Sequence, residues 1–307
     1  MKRVLYIDAP FGISGDMLVA ALLDMGADYE KLTKVLHSLE VKGFQTKVSR
    51  VKKSGLDMCD FLVELDEAHE NHDHDMAYLH GHEHHEHEHH HDHEHEHHHD
   101  HAHHHEHEHS HHHHHHEHRG MGEIRHIIHH SAMSEDAQKL ALKIFQVLAE
   151  AEAKAHGADV EQVHFHEVGA VDSIVDIVSI AVCMESLAID DVVVDTLVDG
   201  HGTIRCQHGI MAVPVPAVTH IVADNGLKLR LSHVEGELVT PTGAAAAAAL
   251  RTMDKLPASY RVAGVGMGAG KREYEVPTFL RLLLLEAETE LSEDEILKIE
   301  TNIDDSI

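Results

Sequence analysis

Basic side chains are scarce in this sequence. Lys and Arg number 24 of 307 residues against 54 Asp and Glu, a formal net charge of −30 with neutral histidines. So acidic a chain is a poor partner for nucleic acid, whose phosphates are held by positive surfaces. Cysteine is nearly absent. Cys59, Cys183 and Cys206 stand far apart with no C-x-x-C spacing, which argues against a disulfide framework and against a thiolate zinc site. No apolar run reaches the roughly 18 residues a membrane helix needs. The opening MKRVLYIDAP has a charged pair but no signal-peptide core or cleavage site. A cytoplasmic protein is expected, with neither membrane nor nucleic acid as a partner.

Histidine is what the chain has in excess. Of its 40 histidines, 29 fall between His69 and His118, interleaved with 13 Asp or Glu. With almost no apolar residue after Leu79, this tract has too little to bury to offset ordering entropy, and disorder is expected without a ligand. Neutral imidazole is a common ligand for nickel, zinc, copper and iron and a poor one for calcium. The run containing His84, His85, His87, His89, His90, His91 and His93 is therefore expected to bind several divalent transition ions.

Outside the tract, strands alternate with helices. Val4 to Asp8 reads as a strand, Met17 to Met25 as a buried helix, and a second helix follows with Asp28 as its cap. Phe44 to Val51 and Asp60 to Asp66 alternate as strands do. Ser134 and Gly157 bound a long amphipathic helix, and Val163 to His166 reads as a strand. Val171 to Leu187 is a buried helix interrupted by carboxylates, and the β-branched run Val192 to Val198 a strand. Pro216 opens a short helix, Thr242 caps Ala244 to Leu250, and Arg261 to Gly266 and Thr278 to Leu285 are strands bracketing a Gly-rich turn. The fold class expected is α/β or α+β, a mixed sheet with packed helices interrupted by a disordered His-rich insertion. The divisions are an N-terminal segment 1–68, the insertion 69–118, the rest of the lobe 119–285, and an acidic linker 286–307.

Three constellations carry chemistry. In Val163 to Asp176, His164 and His166 share one strand face, Glu167 points to the other, and Asp172 and Asp176 stand four apart on an otherwise apolar helix. A charge there is costly unless paired or liganded. Asp8 with Gly12-Ile13-Ser14-Gly15-Asp16 places backbone N–H groups at a helix start, suiting a phosphate, or a metal held by Asp8 or Asp16. Gly264 to Arg272 fails as a P-loop, because Val265 and Arg272 stand where Gly and Ser or Thr are needed. It reads as a flexible hairpin whose Lys271 and Arg272 touch a phosphate. Gly200-His201-Gly202, His208-Gly209, Pro214 with Pro216, and Glu235 to Gly243 read as loops converging on one cleft.

Together, Phe11 to Met17, His164 to Asp176, His208-Gly209 with Pro214 and Pro216, and Glu237 to Gly243 resemble the nickel insertion (LarC) family. The resemblance covers nearly all of the chain outside the His tract. It implies insertion of Ni(II) into pyridinium-3,5-bisthiocarboxylic acid mononucleotide, giving the nickel-pincer cofactor of lactate racemase-type enzymes. The reaction is a lyase-class chelation coupled to CTP hydrolysis, and a His-rich insert is a family feature. CTP and a divalent ion belong, by resemblance, to a C-terminal part absent here, so a separate CTP-binding polypeptide is an expected partner and this chain alone is expected to be inactive. A homo-oligomer is also expected. This sequence has Thr278 where the family pattern has Asn. On the residues themselves, metal ligation is expected from His164, His166, Asp8, Asp16 and His208, base catalysis from Glu167, Asp172 or Asp176, and substrate binding from Ser14, Gly15, Lys271, Arg272 and Thr242. The alternative from the residues alone is a nickel or zinc store or chaperone without chemistry, which needs the tract but not the buried carboxylates.

Overall fold

The computed structural model describes residues 1–66, 119–162, 171–206 and 209–288. The expectations for the His tract, for the strand at 163–166, for His208 and for the acidic tail lie outside the described residues. A six-stranded mixed sheet organises the rest. Its strands are β1 (Lys2–Asp8), β2 (Phe44–Lys53), β3 (Leu56–Leu65), β4 (Asp191–Val194), β9 (Tyr260–Ala269) and β10 (Phe279–Ala287), in the order β2-β3-β9-β10-β1-β4. β1 pairs antiparallel with β10 and parallel with β4. β2 and β3 form an antiparallel hairpin that meets β9 in parallel through one registered pair, Cys59 with Gly268.

Seven helices are described: α1 (Gly15–Asp24), α2 (Tyr29–Ser38), α3 (Met121–His129), α4 (Glu135–His156), α5 (Val171–Ser186), α6 (Pro216–Asp224) and α7 (Pro241–Leu250). Helix α1 lies on β9, β3 and β10, and α5 packs outside it. Helix α4 then gathers α5, α6 and α7. The caps follow the sequence: Asp28 accepts from the Lys31 amide, Ser134 from the Ala137 amide, and Gly157 ends α4 in the left-handed conformation. Smaller pieces complete the fold, a parallel pair of β5 (Thr196–His201) with β8 (Lys228–Glu235) and a hairpin of β6 (Thr203–Cys206) with β7 (Gly209–Ala212). Among the described residues, no helix is long and apolar enough to cross a membrane.

Three expectations are corrected. Gly264 and Gly266 lie on strand β9 as expected, and the strand continues through Gly268 and Ala269 in place of the flexible hairpin expected there. A Cβ on Gly266 would stand 2.1 Å from the Ala21 carbonyl oxygen, and one on Gly268 would stand 2.0 Å from that of Met17. Alternate residues of one strand are thus glycine because α1 lays its backbone directly on them. The run Val192 to Val198 divides at Asp195 into β4 and β5, which join different sheets. Helix α7 is capped by Thr240, whose hydroxyl accepts from the Gly243 amide, with Pro241 in its first turn. Thr242, expected as the cap, is inside that turn and buried.

Candidate functional site

Two loops distant in sequence are zipped together. The Ile13 amide donates to the Leu238 carbonyl (3.0 Å) and the Thr240 amide to the Ile13 carbonyl (3.0 Å). The approach is so close that a Cβ on Gly12, whose φ is +90°, would lie 2.0 Å from the Leu238 oxygen, and one on Gly243 would lie 2.3 Å from that of Ile13. This is the local reason for glycine at those places. It sets the N-termini of α1 and α7 side by side.

Asp199, fully buried, fixes the second loop from below. Its Oδ1 accepts from the amides of Gly200 (2.8 Å), Leu238 (2.8 Å) and Val239 (3.0 Å). Burial pushes its pKa above the ordinary carboxylate value, against the pull of these amides and of Arg272. Asp199→Ala would strand three buried donors at a cost of roughly 3 kcal/mol or more. Asp199→Asn keeps the accepting oxygen and is expected to cost only about 1 kcal/mol, so the two should separate clearly in urea denaturation.

Above the zipped loops lies a cleft of about 900 Å3, its open mouth included. Helix α1 supplies Gly15, Asp16 and Met17, with Ser14 preceding them, and α5 supplies Asp172, Ser173 and Asp176. The second loop and α7 add Glu237, Leu238, Thr240 and Thr242, and β3 lines the wall with Phe61, Leu62, Val63 and Leu65. The β9–β10 connection adds Gly270, Lys271, Arg272, Tyr274 and Thr278. Three helix N-termini therefore share one cavity with acidic side chains, an arrangement in which helix ends partly compensate clustered carboxylates.

The carboxylates interlock. Ser14 Oγ donates to Asp16 Oδ1, and the Asp16 amide donates to the Asp176 carboxyl. A Cβ on Gly15 would stand 2.5 Å from Asp176 Oδ2, so the anion seated against this helix start is the protein's own. Burial first, then Asp16 and Asp172, hold the Asp176 pKa well above its ordinary value. Asp16 Oδ2 and Asp176 Oδ1 are shut off from solvent and, among the described residues, accept no hydrogen bond. The nearest cation to Asp16 Oδ2 is Lys271 Nζ at 4.0 Å.

Lys271 itself is anchored to Asp60 and to the Phe61 carbonyl (2.7 Å). Arg272 Nη1 meets Glu237 Oε2 at 2.5 Å, both side chains being largely buried. The Tyr274 hydroxyl donates to the Glu237 carbonyl (3.1 Å), and the Thr278 hydroxyl closes the connection on the Arg272 carbonyl (2.8 Å). Asp8 is not brought to the cleft: it ends β1 outside the lining, held by Arg281 with Nε to Oδ2 at 2.8 Å. His164, His166, Glu167, His208 and the tract histidines lie outside the described residues.

The glycine-rich loops do not all face one cleft. A second cavity of about 880 Å3 is lined by Arg205, Cys206 and Pro216 and meets the first across Ser173, Glu237, Thr240, Thr242 and Arg272. Sequence reasoning did not single out Asp199, Asp60, Tyr274 or Phe61. Only Asp199 left a signal, a lone acid followed by glycine at the end of an apolar run. Among the described residues, no three His, Cys, Asp or Glu side chains stand ready-made as a metal site. A cation in this cleft would therefore draw further ligands from elsewhere, and His164 and His166 precede α5 in sequence.

No solved structure matches this chain. Among curated proteins, it is 44% identical over 321 residues to the pyridinium-3,5-bisthiocarboxylic acid mononucleotide nickel insertion protein of Alkaliphilus metalliredigens, covering 100% of this chain and 69% of that protein. It is 38% identical to the protein so named from Akkermansia muciniphila (99% and 65%) and 35% identical to that from Acetivibrio thermocellus (99% and 65%). The chain thus spans about two thirds of the length of these relatives. The family model for nickel insertion proteins matches residues 5–307, zipped loops and carboxylate cleft included, and the chain belongs to that family.

Proposed function

We propose that this chain forms the metal-handling part of an enzyme that inserts Ni(II) into pyridinium-3,5-bisthiocarboxylic acid mononucleotide. The supporting observation is the pair of unsolvated carboxylate oxygens, Asp16 Oδ2 and Asp176 Oδ1, on two residues that line the cleft. Buried acceptors without donors cost free energy, and in residues lining a cleft a divalent ion or a transferred proton would satisfy them. A store that works through its His tract alone has no use for them.

Insertion makes two nickel–sulfur bonds and one nickel–carbon bond, and the ring carbon gives up a proton. A base is required, and its pKa should lie near the working pH. Burial and two acidic neighbours move the Asp176 pKa in that direction, above the usual carboxylate value, and Asp172 and Glu167 are the other candidates. His164, His166 and Asp16 would hold the ion, with His208 a further candidate ligand. Thr242 and Arg272, on the wall shared by the two cavities, would receive the phosphate end of the mononucleotide. The Ser14-Gly15 turn and Lys271 act indirectly, the first by seating Asp176 and the second by setting charge beside Asp16. The His tract would concentrate Ni(II), and CTP would be used by the part of the protein corresponding to the relatives' remaining third.

The test combines the full chain, with the part corresponding to the relatives' remaining third, with CTP, Ni(II) and the dithiocarboxylate mononucleotide, read by activation of an apo-lactate racemase. Changing both His164 and His166 to Ala should lower activation at least about a hundredfold. Unchanged activation in that double variant would refute the cleft assignment.

A further inference from the structure

Helix α3 begins at Met121, three residues beyond the last histidine of the tract, and carries His126 and His130 one helical turn apart. Both are exposed, and their rings lie side by side, tilted 37° to one another, with centroids 4.0 Å apart. Positions i and i+4 of a helix are surface neighbours, the spacing at which two imidazoles reach one ion. His130 Nδ1 is 2.9 Å from the His126 carbonyl oxygen. A carbonyl only accepts, so Nδ1 carries the proton and the Nε2 lone pair is turned outward, the orientation of a metal-binding histidine backed by a backbone acceptor. On the other side, His126 Nε2 is 3.4 Å from Glu40 Oε2, in the segment that follows α2. Glu40 is 60% exposed, so a side-chain rotation moves its carboxylate without repacking.

We infer that His126, His130 and Glu40 form a surface site for a divalent transition ion, distinct from the carboxylate cleft. The ion draws the two Nε2 atoms together and recruits Glu40 as a third ligand. Two imidazoles and one carboxylate select nickel, copper or zinc over calcium and magnesium. Its place in the fold suggests its use. Arg125, the residue before His126, makes a double ion pair with Glu161 at 2.7 and 3.0 Å. Glu161 precedes His164 by three residues, a chain length of at most about 11 Å. The site thus follows the tract closely in sequence and is tied by the Arg125–Glu161 pair to the chain three residues before His164, where an ion passing from one to the other would pause.

The experiment uses the full chain and Ni(II) alone. Diethyl pyrocarbonate modifies unligated imidazoles, and mass spectrometry of the proteolytic fragment containing α3 reads His126, His129 and His130 separately. At tenfold excess over the dissociation constant, Ni(II) should slow modification of His126 and His130 together by about tenfold. His129, turned to Gln138 Oε1 at 3.2 Å, should keep its rate, and Ca(II) should protect none of them. His130→Ala, on the surface and harmless to folding, should abolish protection of His126, and Glu40→Gln should weaken it. The inference is overturned if Ni(II) protects tract histidines but leaves His126 unprotected. It is overturned equally if His126 stays protected in His130→Ala, or if His129 is shielded to the same degree. None of these outcomes depends on whether the chain inserts nickel.

Discussion

Asp176→Asn is expected to make the protein more stable at pH 8 and incapable of productive nickel handling. The carboxyl is buried beside Asp16 and Asp172, and its pKa in the folded chain is raised. A group of this kind binds its proton more tightly when folded than when unfolded. Stability is therefore greatest below the unfolded value near ~3.9, declines as pH rises through the interval up to the folded value, and stays reduced above it. Asn fits the same space, still accepts from the Asp16 amide, and has no charge to desolvate. Variant and parent should melt together at pH 4, whereas at pH 8 the variant should melt above the parent. Excess Ni(II) should raise the melting temperature of the parent at pH 8 by linkage and leave that of Asp176→Asn nearly unchanged. Lower stability of the variant at both pH values would identify the carboxyl as a structural acceptor and remove it from the base assignment.

The second large effect concerns the stripe of glycines. Gly268→Ala places a methyl group 2.0 Å from the Met17 carbonyl and 2.8 Å from the Ala21 amide, both backbone atoms of α1. Neither can yield without lifting the helix off the sheet, and the loss should be about 3 kcal/mol or more. Gly264→Ala, on the same strand, meets nothing nearer than Leu284 Cβ at 3.6 Å and should change stability by less than about 0.5 kcal/mol. Chemical denaturation of the two variants measures the contrast directly. Because α1 carries Asp16, Gly268→Ala should also disturb nickel handling, although its side chain would touch no ion.

Much of this architecture is legible in the sequence because it depends on local pattern. The caps Asp28 and Ser134, the C-terminal Gly157 and the buried periodicity of α5 are written within a few residues of where they act. What escapes is long-range. Gly268 looks like part of a turn until α1 is laid over it, because glycine reports freedom and close approach with the same letter. Lys271 and Arg272 look like free cations until Asp60 and Glu237, 211 and 35 residues away, are seen paired with them. Asp8 and Asp16 are equivalent candidates in sequence. A strand's end and Arg281 take the first, and a helix's first turn aims the second into the cleft. The acids Asp172 and Asp176 were legible because charge on an apolar helix is anomalous wherever that helix packs.

The hairpin of β2 and β3 meets the remaining strands through the single pair Cys59 and Gly268. Two ammonium groups rivet the join instead: Lys53 reaches across to the Gly270 carbonyl and Lys271 reaches back to Asp60 and Phe61. Four strands thus share a continuous ladder, while the panel that walls the cleft is fastened by side chains. The same panel ends at Leu65, four residues before the first histidine of the tract. Any tug transmitted from that tether falls first on the rivets and only afterwards on the ladder.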